Sequence, residues 1–239
     1  MTASEPSGIR VQNVGLTLGT RKFRFDCELP GGAITAITGP SGSGKSTLLN
    51  LIAGFETPDS GKISIGGSNV TALHPSQRPV SLVFQDNNLF AHLDLATNIG
   101  LGIHPALKLT SGDRKRISEA LERVGLGGYE KRMPGTLSGG ERQRAAFARA
   151  LVRQRPVLLL DEPFAALDPG LRQSMARLLL ELHRETGNTV AIVTHDAGEV
   201  RQLADHALFI DHGEVALQAE IEVFLMRRDV PGLTEFLDL

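Results

Sequence analysis

Residues 39–46 combine glycines, hydroxyl groups and one lysine at a spacing that suits a bound anion. They fit the pattern GxxxxGK[ST], and they read Gly39, Pro40, Ser41, Gly42, Ser43, Gly44, Lys45 and Ser46. Glycines let backbone N–H groups curl round phosphate oxygens, and the start of a following helix adds its positive end. Lys45 would reach the β- and γ-phosphates of a nucleotide, and the Ser46 hydroxyl would bind Mg²⁺. Thr47 completes the predicted nucleotide-binding set.

The surroundings of this phosphate loop (residues 39–46) support that interpretation. An apolar stretch, residues 34–38, precedes it and a helical stretch, residues 45–53, follows it. A strand before and a helix after are the context that the motif requires. A glycine-rich turn with a chance lysine is the alternative, and this context disfavours it. Kinases, GTPases and many ATPases share such a loop, so the loop alone indicates only a superfamily.

Two adjacent carboxylates end a second apolar stretch, residues 157–160. Asp161 at the end of a strand could hold Mg²⁺ through water beside a phosphate loop. Glu162, one residue later, suits a general base that polarises the attacking water. Taken alone, the pair could equally be two solvated loop residues, but the phosphate loop favours the functional interpretation.

A third segment reads Leu137, Ser138, Gly139, Gly140, Glu141, Arg142 and Gln143, and an alanine-rich helical stretch follows it. Ser138 with Glu141 three residues later forms a capping box, which is a stable way to begin a helix. The same serine and glycine amides could instead form a second anion site. Both interpretations stay open at this point.

Composition excludes several functional classes. The chain has 239 residues, with 25 basic and 27 acidic side chains, so it has no basic field for a nucleic-acid backbone. A hydrophobic content of 41% and a charged content of 22% exclude disordered and fibrous classes. The single cysteine, Cys27, excludes an internal disulfide and a multi-thiolate metal site.

The longest stretch without acidic or basic side chains, residues 29–44, is interrupted by glycine, proline and serine. A membrane-spanning helix needs about 20 mostly apolar residues, so we expect none here. Residues 1–8 show no basic segment followed by an apolar one, so we expect no signal peptide. These features predict a cytosolic protein, and any membrane spans would come from other chains.

The elements that would position these residues alternate between short apolar strands and helices. Strands are predicted at residues 9–14, 23–29, 34–38, 62–65, 80–84, 157–160, 189–193, 207–210 and 215–218. Helices are predicted at residues 45–53, 95–100, 113–124, 141–153 and 170–185, with a short helix after the strand at 189–193 and a final one near 220–226. Such alternation indicates an α/β fold with a mostly parallel sheet covered on both faces.

The β-rich start and the wholly helical middle do not fit one doubly wound unit. We therefore expect one domain, residues 1–239, with an α/β core that carries an antiparallel β portion. Residues 1–85 and 156–239 would form this core, and residues 86–155 would form an inserted helical subdomain.

The segment at residues 137–143 resembles the signature motif of ABC-type ATPases, which usually has glutamine where Glu141 stands. Further marks of that family appear in the expected order: Gln85 resembles its Q-loop, Asp168 its D-loop and His195 its switch histidine. The resemblance covers nearly the whole chain. It implies a P-loop NTPase (RecA-like) core in the ABC-type ATPase fold, with ATP and Mg²⁺ as cofactors and Ser46, Gln85 and Asp161 near the metal.

In that family two subunits enclose two ATP molecules head to tail. The resemblance therefore implies that residues 137–141 act across a dimer, with Ser138 and Gly140 on the γ-phosphate held at Lys45 of a second copy. It implies that His195 contacts the same phosphate and orients Glu162 and the water. Asp168 would couple the two sites, and Gln85 would sense Mg²⁺ and water and link to a membrane partner.

One mark of the family is missing. An aromatic residue usually stacks on adenine some twenty residues before the phosphate loop, and that position falls near Leu18. Phe23 or an aliphatic side chain would have to cover the base instead. Use of GTP therefore stays open.

The resemblance favours a transporter subunit. ABC-type ATPases of DNA repair separate the loop and the signature by long coiled coils, and translation-associated members carry two cassettes in one chain. Neither feature is present here. The implied partners are a second copy, transmembrane permease subunits and, indirectly, a substrate-binding protein, with the subunit peripheral on the inner face of the cell membrane. Leu89, Phe90 and Leu93 could line a groove for a permease helix, or pack inside the helical subdomain.

Two stretches extend the resemblance to the ATPase subunits of bacterial thiamine importers. These are the paired asparagines Asn87 and Asn88 before Leu89 and Phe90, and the Leu-Lys-Leu ending at residues 107–109. They imply uptake of thiamine or its phosphates. Transport of ferric iron or another small solute, export, and a non-transport enzyme such as a small-molecule kinase are the alternatives.

Overall fold

The computed structural model describes residues 7–86 and 88–238 of the chain. Its strands are β1 (Ile9–Leu18), β2 (Arg21–Leu29), β3 (Ile34–Thr38), β4 (Ser60–Ile65), β5 (Ser68–Asn69), β6 (Val80–Val83), β7 (Val157–Asp161), β8 (Thr189–Val193), β9 (His206–Asp211) and β10 (Glu214–Glu220). Its α-helices are α1 (Lys45–Ala53), α2 (Leu95–Ile103), α3 (Ser111–Arg123), α4 (Gly139–Val152), α5 (Pro169–Thr186), α6 (Ala197–Leu203), α7 (Ile221–Met226) and α8 (Leu233–Leu237). Short 3-10 turns lie at Pro75–Gln77 and Pro134–Thr136.

Among the described residues, the first of two compact units contains residues 7–80, Pro156–Asp161 and residues 183–238. Its strands follow one another in the order β5-β4-β1-β2-β10-β9-β3-β8-β7. The pairs β1/β2, β1/β4, β4/β5 and β9/β10 are antiparallel, whereas β3 is parallel to both β8 and β9, and β7 is parallel to β8. The predicted α/β core with an antiparallel portion is confirmed.

The burial of each strand explains its place in this sheet. In β2, alternate side chains are buried, which is typical of a strand with one solvated face. All five residues of β3 and all five of β8 are buried, as in parallel strands covered on both faces. Cys27 lies on the buried face of β2, where burial and the nearby Asp26 raise the pKa of its thiol to about 12.

The second unit contains Ser81–Arg155 and Glu162–Leu182. In it α2, α3 and α4 pack against one another. Gly102 allows the close approach of α2 to α4, because a Cβ there would lie 2.6 Å from the carbonyl oxygen of Arg149. The predicted helical subdomain, residues 86–155, falls within the first segment of this unit. Asn87 lies outside the described residues.

The predicted elements agree with the structure to within three residues at their ends, except at the carboxyl end of β1. This strand continues to Leu18 because a bulge between Val11 and Val14, with Asn13 at a φ of 47°, restores the burial of Leu16 beyond it. The strand β5 and the helix α8 were not predicted. Within the described ranges, no helix combines the length and the apolar character that crossing a membrane requires.

Candidate nucleotide-binding site

The register of three parallel strands brings the predicted residues of the first unit to one edge of the sheet. Val193 at the end of β8 pairs with Ile37 of β3 and also with Asp161 of β7. The phosphate loop follows β3 directly, and His195 lies two residues after β8. Open α/β sheets bind ligands at the carboxyl ends of their strands. Asp161, His195 and the phosphate loop therefore share the edge at which a ligand is expected.

Two glycines of the phosphate loop have no room for a side chain. Gly39 has a φ of 140°, and a Cβ there would collide with the carbonyl oxygen of Ile210. Gly44 has a φ of 114°, and a Cβ there would lie 2.9 Å from the ring of Phe23. Gly44 is also the N-cap of α1 and makes no side-chain cap. The first amides of α1 are therefore open to an anion.

The Lys45 ammonium is buried inside the phosphate loop. Its Nζ donates hydrogen bonds to the carbonyl oxygens of Gly39 (2.9 Å) and Pro40 (2.8 Å), and the side chain is 8% exposed. The Ser43 hydroxyl is buried as well and has no hydrogen-bond partner within the described ranges. A phosphate group would place negative charge beside the Lys45 ammonium and would give the Ser43 hydroxyl an acceptor oxygen. The loop thus fits a nucleotide phosphate.

The donor set near the loop also suits a hard divalent cation. Ser46 is exposed on the first turn of α1, and this helix packs against β7, which ends at Asp161. Hydroxyl and carboxylate oxygens are the ligands that Mg²⁺ prefers, together with water and substrate phosphates. Among the residues that the structure describes, no cluster of three histidine, cysteine or acidic side chains could hold a metal on its own. Ser46 and Asp161 would hold Mg²⁺ jointly with a nucleotide.

In the second unit, Gln85 and Glu162 lie within hydrogen-bond distance of each other. The Nε2 atom of Gln85 donates to Oε2 of Glu162 at 3.4 Å. Glu162 adopts a φ of 47°, in the left-handed region that only a few per cent of non-glycine residues occupy. Such a conformation turns the chain sharply after β7. The Glu162 side chain therefore points in a different direction from the one that it would have if β7 continued as an extended strand.

The signature segment (residues 137–143) folds as a capped helix start. Ser138 is the N-cap of α4; its Oγ accepts a hydrogen bond from the amide of Glu141 (3.2 Å), and its own amide donates to Oε2 of Glu141 (2.7 Å). The amide and hydroxyl of Ser138 hold the pKa of the Glu141 carboxyl below its ordinary value of 4.5. The predicted capping box is present, and the anion site at the same residues stays a prediction.

The glycines of the signature segment pack beside the predicted D-loop. A Cβ on Gly140 would lie 3.1 Å from Cδ2 of Leu167, and one on Gly139 would lie 3.9 Å from Cβ of Ala166. Asp168 follows directly, and its Oδ1 accepts the amide hydrogen of Leu171 at 3.0 Å. This contact caps the start of α5. Its predicted role in coupling two sites remains a prediction.

His195 is exposed in a turn that its neighbours hold in place. The Thr194 hydroxyl donates to the buried Glu199 carboxylate (2.5 Å) and accepts from the amide of Asp196 (3.1 Å). Asp196 in turn caps α6 through the amides of Gly198 and Glu199. The imidazole therefore projects from a rigid turn at the ligand edge of the sheet.

The structure separates the two predictions for the base-binding position. Phe23 is buried, with its ring stacked on Phe25 at 6.1 Å and packed under Gly44, so its face is not available to a base. The prediction for Phe23 is wrong, because a strand residue with its side chain on the core face cannot also cover a ligand. Leu18 is 38% exposed at the end of β1 and leaves the aliphatic alternative in place.

Two polar residues at the site were missed by the sequence analysis. Arg21 lies over the phosphate loop, with Nη1 3.5 Å from the place that a Cβ of Gly42 would occupy. Gln143, buried on α4, donates to the carbonyl oxygen of Glu162 at 3.0 Å. Neither contact follows from spacing along the chain. Arg21 follows an ordinary hairpin turn, and Gln143 reads as one polar residue in a motif.

Comparison with known proteins agrees with this geometry. Residues 23–165 match the family model described as ABC transporter. The chain is 53% identical to the thiamine import ATP-binding protein ThiQ of Rhizobium meliloti (strain 1021), over 97% of each chain. It is 54% identical to the protein of the same name from Brucella suis biovar 1 (strain 1330), over 99% of this chain and 98% of that one.

A solved structure shares both the fold and part of the sequence. It is the dimeric post-hydrolysis state of the ATP-binding cassette MJ0796 bound to ADP and Pi, with a TM-score of 0.81 and 32% identity. The match covers 89% of this chain and 98% of that one. Because the family model spans more than half of the chain and the relatives match it nearly end to end, the chain belongs to the ABC transporter family, as one of its ATP-binding cassettes.

Proposed function

We propose that this chain is the ATP-hydrolysing subunit of an importer that takes up thiamine or its phosphates through partner membrane subunits. The observation that carries the ATPase is the shared sheet edge at which the phosphate loop, Asp161 and His195 meet. The thiamine assignment is supported by relatives of that name, which are more than half identical over nearly the full chain.

In the proposed reaction, most of the rate enhancement comes from charge neutralisation and from the positioning of the reacting groups. The amides of the phosphate loop and the Lys45 ammonium bind the β- and γ-phosphates. Arg21 adds a second positive charge beside Gly42. Glu162 orients the attacking water and accepts its proton, and His195 contacts the γ-phosphate. Ser46 and Asp161 would hold Mg²⁺, with Gln85 as a further proposed contact, and the ion would supply positive charge to the phosphates.

We infer that two copies close on ATP head to tail. Ser138 and Gly140 of one copy would then complete the site whose phosphates lie at Lys45 of the other. The dimeric MJ0796 cassette with ADP and Pi supports a dimer for this fold. Closure and reopening would move the membrane subunits and switch access to the transported solute. In this scheme Asp168 lies between the two sites.

The loop after Gln85 is the proposed contact for a permease helix. Asn98 is buried and ties this loop to α2, because it accepts from the amide of Phe90 (2.8 Å) and donates to the carbonyl of Leu93 (2.8 Å). Phe90 is nevertheless 47% exposed. A large apolar side chain on a fixed loop suits a partner surface. This contact would place the subunit on the inner face of the cell membrane.

The test is uptake of labelled thiamine by source cells that lack this protein, restored with the wild type or with Glu162→Gln. We expect only the wild type to restore uptake. Normal uptake without the protein would contradict the thiamine assignment, and assays with ferric iron, other small solutes and efflux would then identify the substrate. Restoration by Glu162→Gln would contradict the ATP-driven mechanism.

A second assay separates the proposal from a phosphotransferase. The purified protein with ATP and Mg²⁺ should release inorganic phosphate without any acceptor molecule. A strict requirement for an acceptor that becomes phosphorylated would favour a small-molecule kinase. The same assay with GTP shows whether Leu18, which replaces the usual aromatic residue, has relaxed the choice of base.

A further inference from the structure

Gln143 joins helix α4 to both ends of the turn that follows β7. Its Nε2 donates to the carbonyl oxygen of Glu162 at 3.0 Å, and its Oε1 accepts from the amide of Ala166 at 3.2 Å. The side chain is only 3% exposed. A buried amide whose donor and acceptor are both used on one short turn is well suited to fix the shape of that turn.

The turn needs such support because Glu162 has a left-handed backbone with a φ of 47°. A non-glycine residue in this region costs on the order of 1–3 kcal/mol and persists only where the surroundings impose it. Within the turn, the amide of Ala165 donates to the carbonyl of Glu162 at 3.3 Å. Gln143 adds the shorter hydrogen bond to that carbonyl and also holds the far end of the turn.

We propose that Gln143 is a positioning residue, which holds the Glu162 backbone so that its carboxylate points at the attacking water. The inference rests on the proposed role of Glu162 as the general base. Gln85 contacts the carboxylate itself, at 3.4 Å, so the two glutamines hold Glu162 at different ends.

The position of Gln143 also gives the signature segment a route to the base. It lies on the second turn of α4, the helix that Ser138 caps. A displacement of α4 at Ser138 would therefore carry Gln143 with it, and with Gln143 the Glu162 carbonyl to which it donates. The helix that presents Ser138 thus also sets the aim of the base in its own subunit.

Gln143→Met and Gln143→Glu test this role. Methionine keeps the length and loses both hydrogen bonds, whereas glutamate keeps an acceptor for Ala166 and turns a carboxylate towards the carbonyl of Glu162. For both variants we expect kcat for ATP hydrolysis to fall roughly tenfold or more, with KM and ATP affinity within about twofold of the wild type. Gln143→Asn, whose side chain is one methylene shorter, serves as the third variant if either protein fails to fold, and the same loss of kcat is expected of it.

Arg144→Ala is the matched control. Arg144 is the next residue on α4 and also donates to main-chain carbonyls, but to those of Val124 (2.9 Å) and Gly125 (3.1 Å), away from the Glu162 turn. We expect this variant to keep the wild-type kcat, even where its melting temperature falls as much as that of Gln143→Met. Equal loss of kcat in the two variants would mean that α4 packing, and not the aim of Glu162, sets the rate.

The double variant Gln143→Met with Glu162→Gln separates positioning from general damage. The effects of residues that act as one unit are not additive. Adding Gln143→Met to Glu162→Gln should therefore cause no further loss of turnover and should leave ATP affinity unchanged. Additive loss, or wild-type kcat in Gln143→Met, overturns the inference. If Glu162→Gln itself hydrolyses ATP at the wild-type rate, the proposed base is wrong, and that result is distinct from a failure at Gln143.

Discussion

The starts of α1 and α4 contain similar residues, but the first lacks a side-chain cap and the second has one. Each follows a glycine-containing segment, but α1 has Gly44 as an uncapped N-cap, with no acidic side chain in its first turn. At α4, Ser138 and Glu141 satisfy each other, and the first turn carries a carboxylate. The phosphate loop therefore leaves the first amides of α1 open to a ligand, whereas the signature segment has already used two amides, those of Ser138 and Glu141, and the Ser138 hydroxyl internally.

This difference shows what each segment can do within a single subunit. The phosphate loop keeps its shape because the Lys45 ammonium binds the loop's own carbonyl groups, and it can bind phosphate directly. The signature segment has its helix cap without a ligand and would offer an anion mainly its glycine amides, because the amide and hydroxyl of Ser138 already act on the Glu141 carboxylate. We expect the nucleotide affinity of a single subunit to depend on the phosphate loop, and the proposed anion site of the signature segment to act only when a second subunit arrives.

The largest expected effect is that of Lys45→Ala. Removing the ammonium takes away a charged partner of the phosphates and loosens the loop, so ATP affinity should fall roughly 10- to 100-fold. Equilibrium binding of labelled ATP to the isolated subunit measures this loss. Lys62→Ala, which removes an exposed lysine from β4, should bind ATP like the wild type. Equal ATP affinity of Lys45→Ala and the wild type would contradict the claim that the phosphate loop sets nucleotide affinity.

Ser138 separates capping from ligand binding. Ser138→Ala should cost about 1 kcal/mol of stability through the lost N-cap, whereas Ser138→Asp should keep that cap because aspartate is an equally good one. Both should lower turnover, the aspartate more strongly because it places a negative charge where phosphate is proposed to bind. Thermal unfolding and phosphate release measure the two effects. Wild-type turnover in Ser138→Asp would mean that this serine serves the helix alone.

The smallest effect is expected from Glu141→Gln. Glutamine can complete the capping box, so only the charge near the start of α4 is lost, and the free energy of unfolding should change by less than about 1 kcal/mol. The pKa of Glu141 is lowered in the folded state, so its carboxylate stabilises the fold above the unfolded pKa.

That contribution should be lost as pH falls through the lowered pKa. The wild type should therefore keep its small advantage over Glu141→Gln between about pH 5 and 8 and lose it below about pH 4. Denaturant titrations of both proteins across this range measure the difference. If the difference in the free energy of unfolding disappears already near pH 6, a group other than the Glu141 carboxyl is responsible for it.

Much of this site could be predicted from the sequence, because its motifs are local. The phosphate loop, the Asp161–Glu162 pair and His195 each stand next to an apolar strand, and parallel strand ends meet at one edge. Contacts between distant segments could not be predicted in this way. Gln143 reaches the Glu162 turn only because α4 and that turn pack together, and no periodicity along the chain indicates it.

The burial of Phe23 shows a further limit. An aromatic residue near the required distance from the phosphate loop fits a base-stacking role by spacing alone. In β2, however, alternate positions face the core, and Phe23 is on the buried face. Whether Phe23 lies in the core or can contact a ligand depends on which side chains of β2 face the core. The bulge in β1 and the hairpin turn before β2 make that alternation hard to predict from the sequence.

The burial of Cys27 has a practical consequence for following the two segments in solution. Its thiol is the only one in the sequence, and with a pKa of about 12 and 6% exposure it should not react with maleimides near neutral pH. The chain also has no tryptophan and one tyrosine. A cysteine introduced on an exposed face would therefore be the one reactive thiol for labelling, and an introduced tryptophan would be the one source of tryptophan fluorescence. Neither requires a native residue to be replaced first.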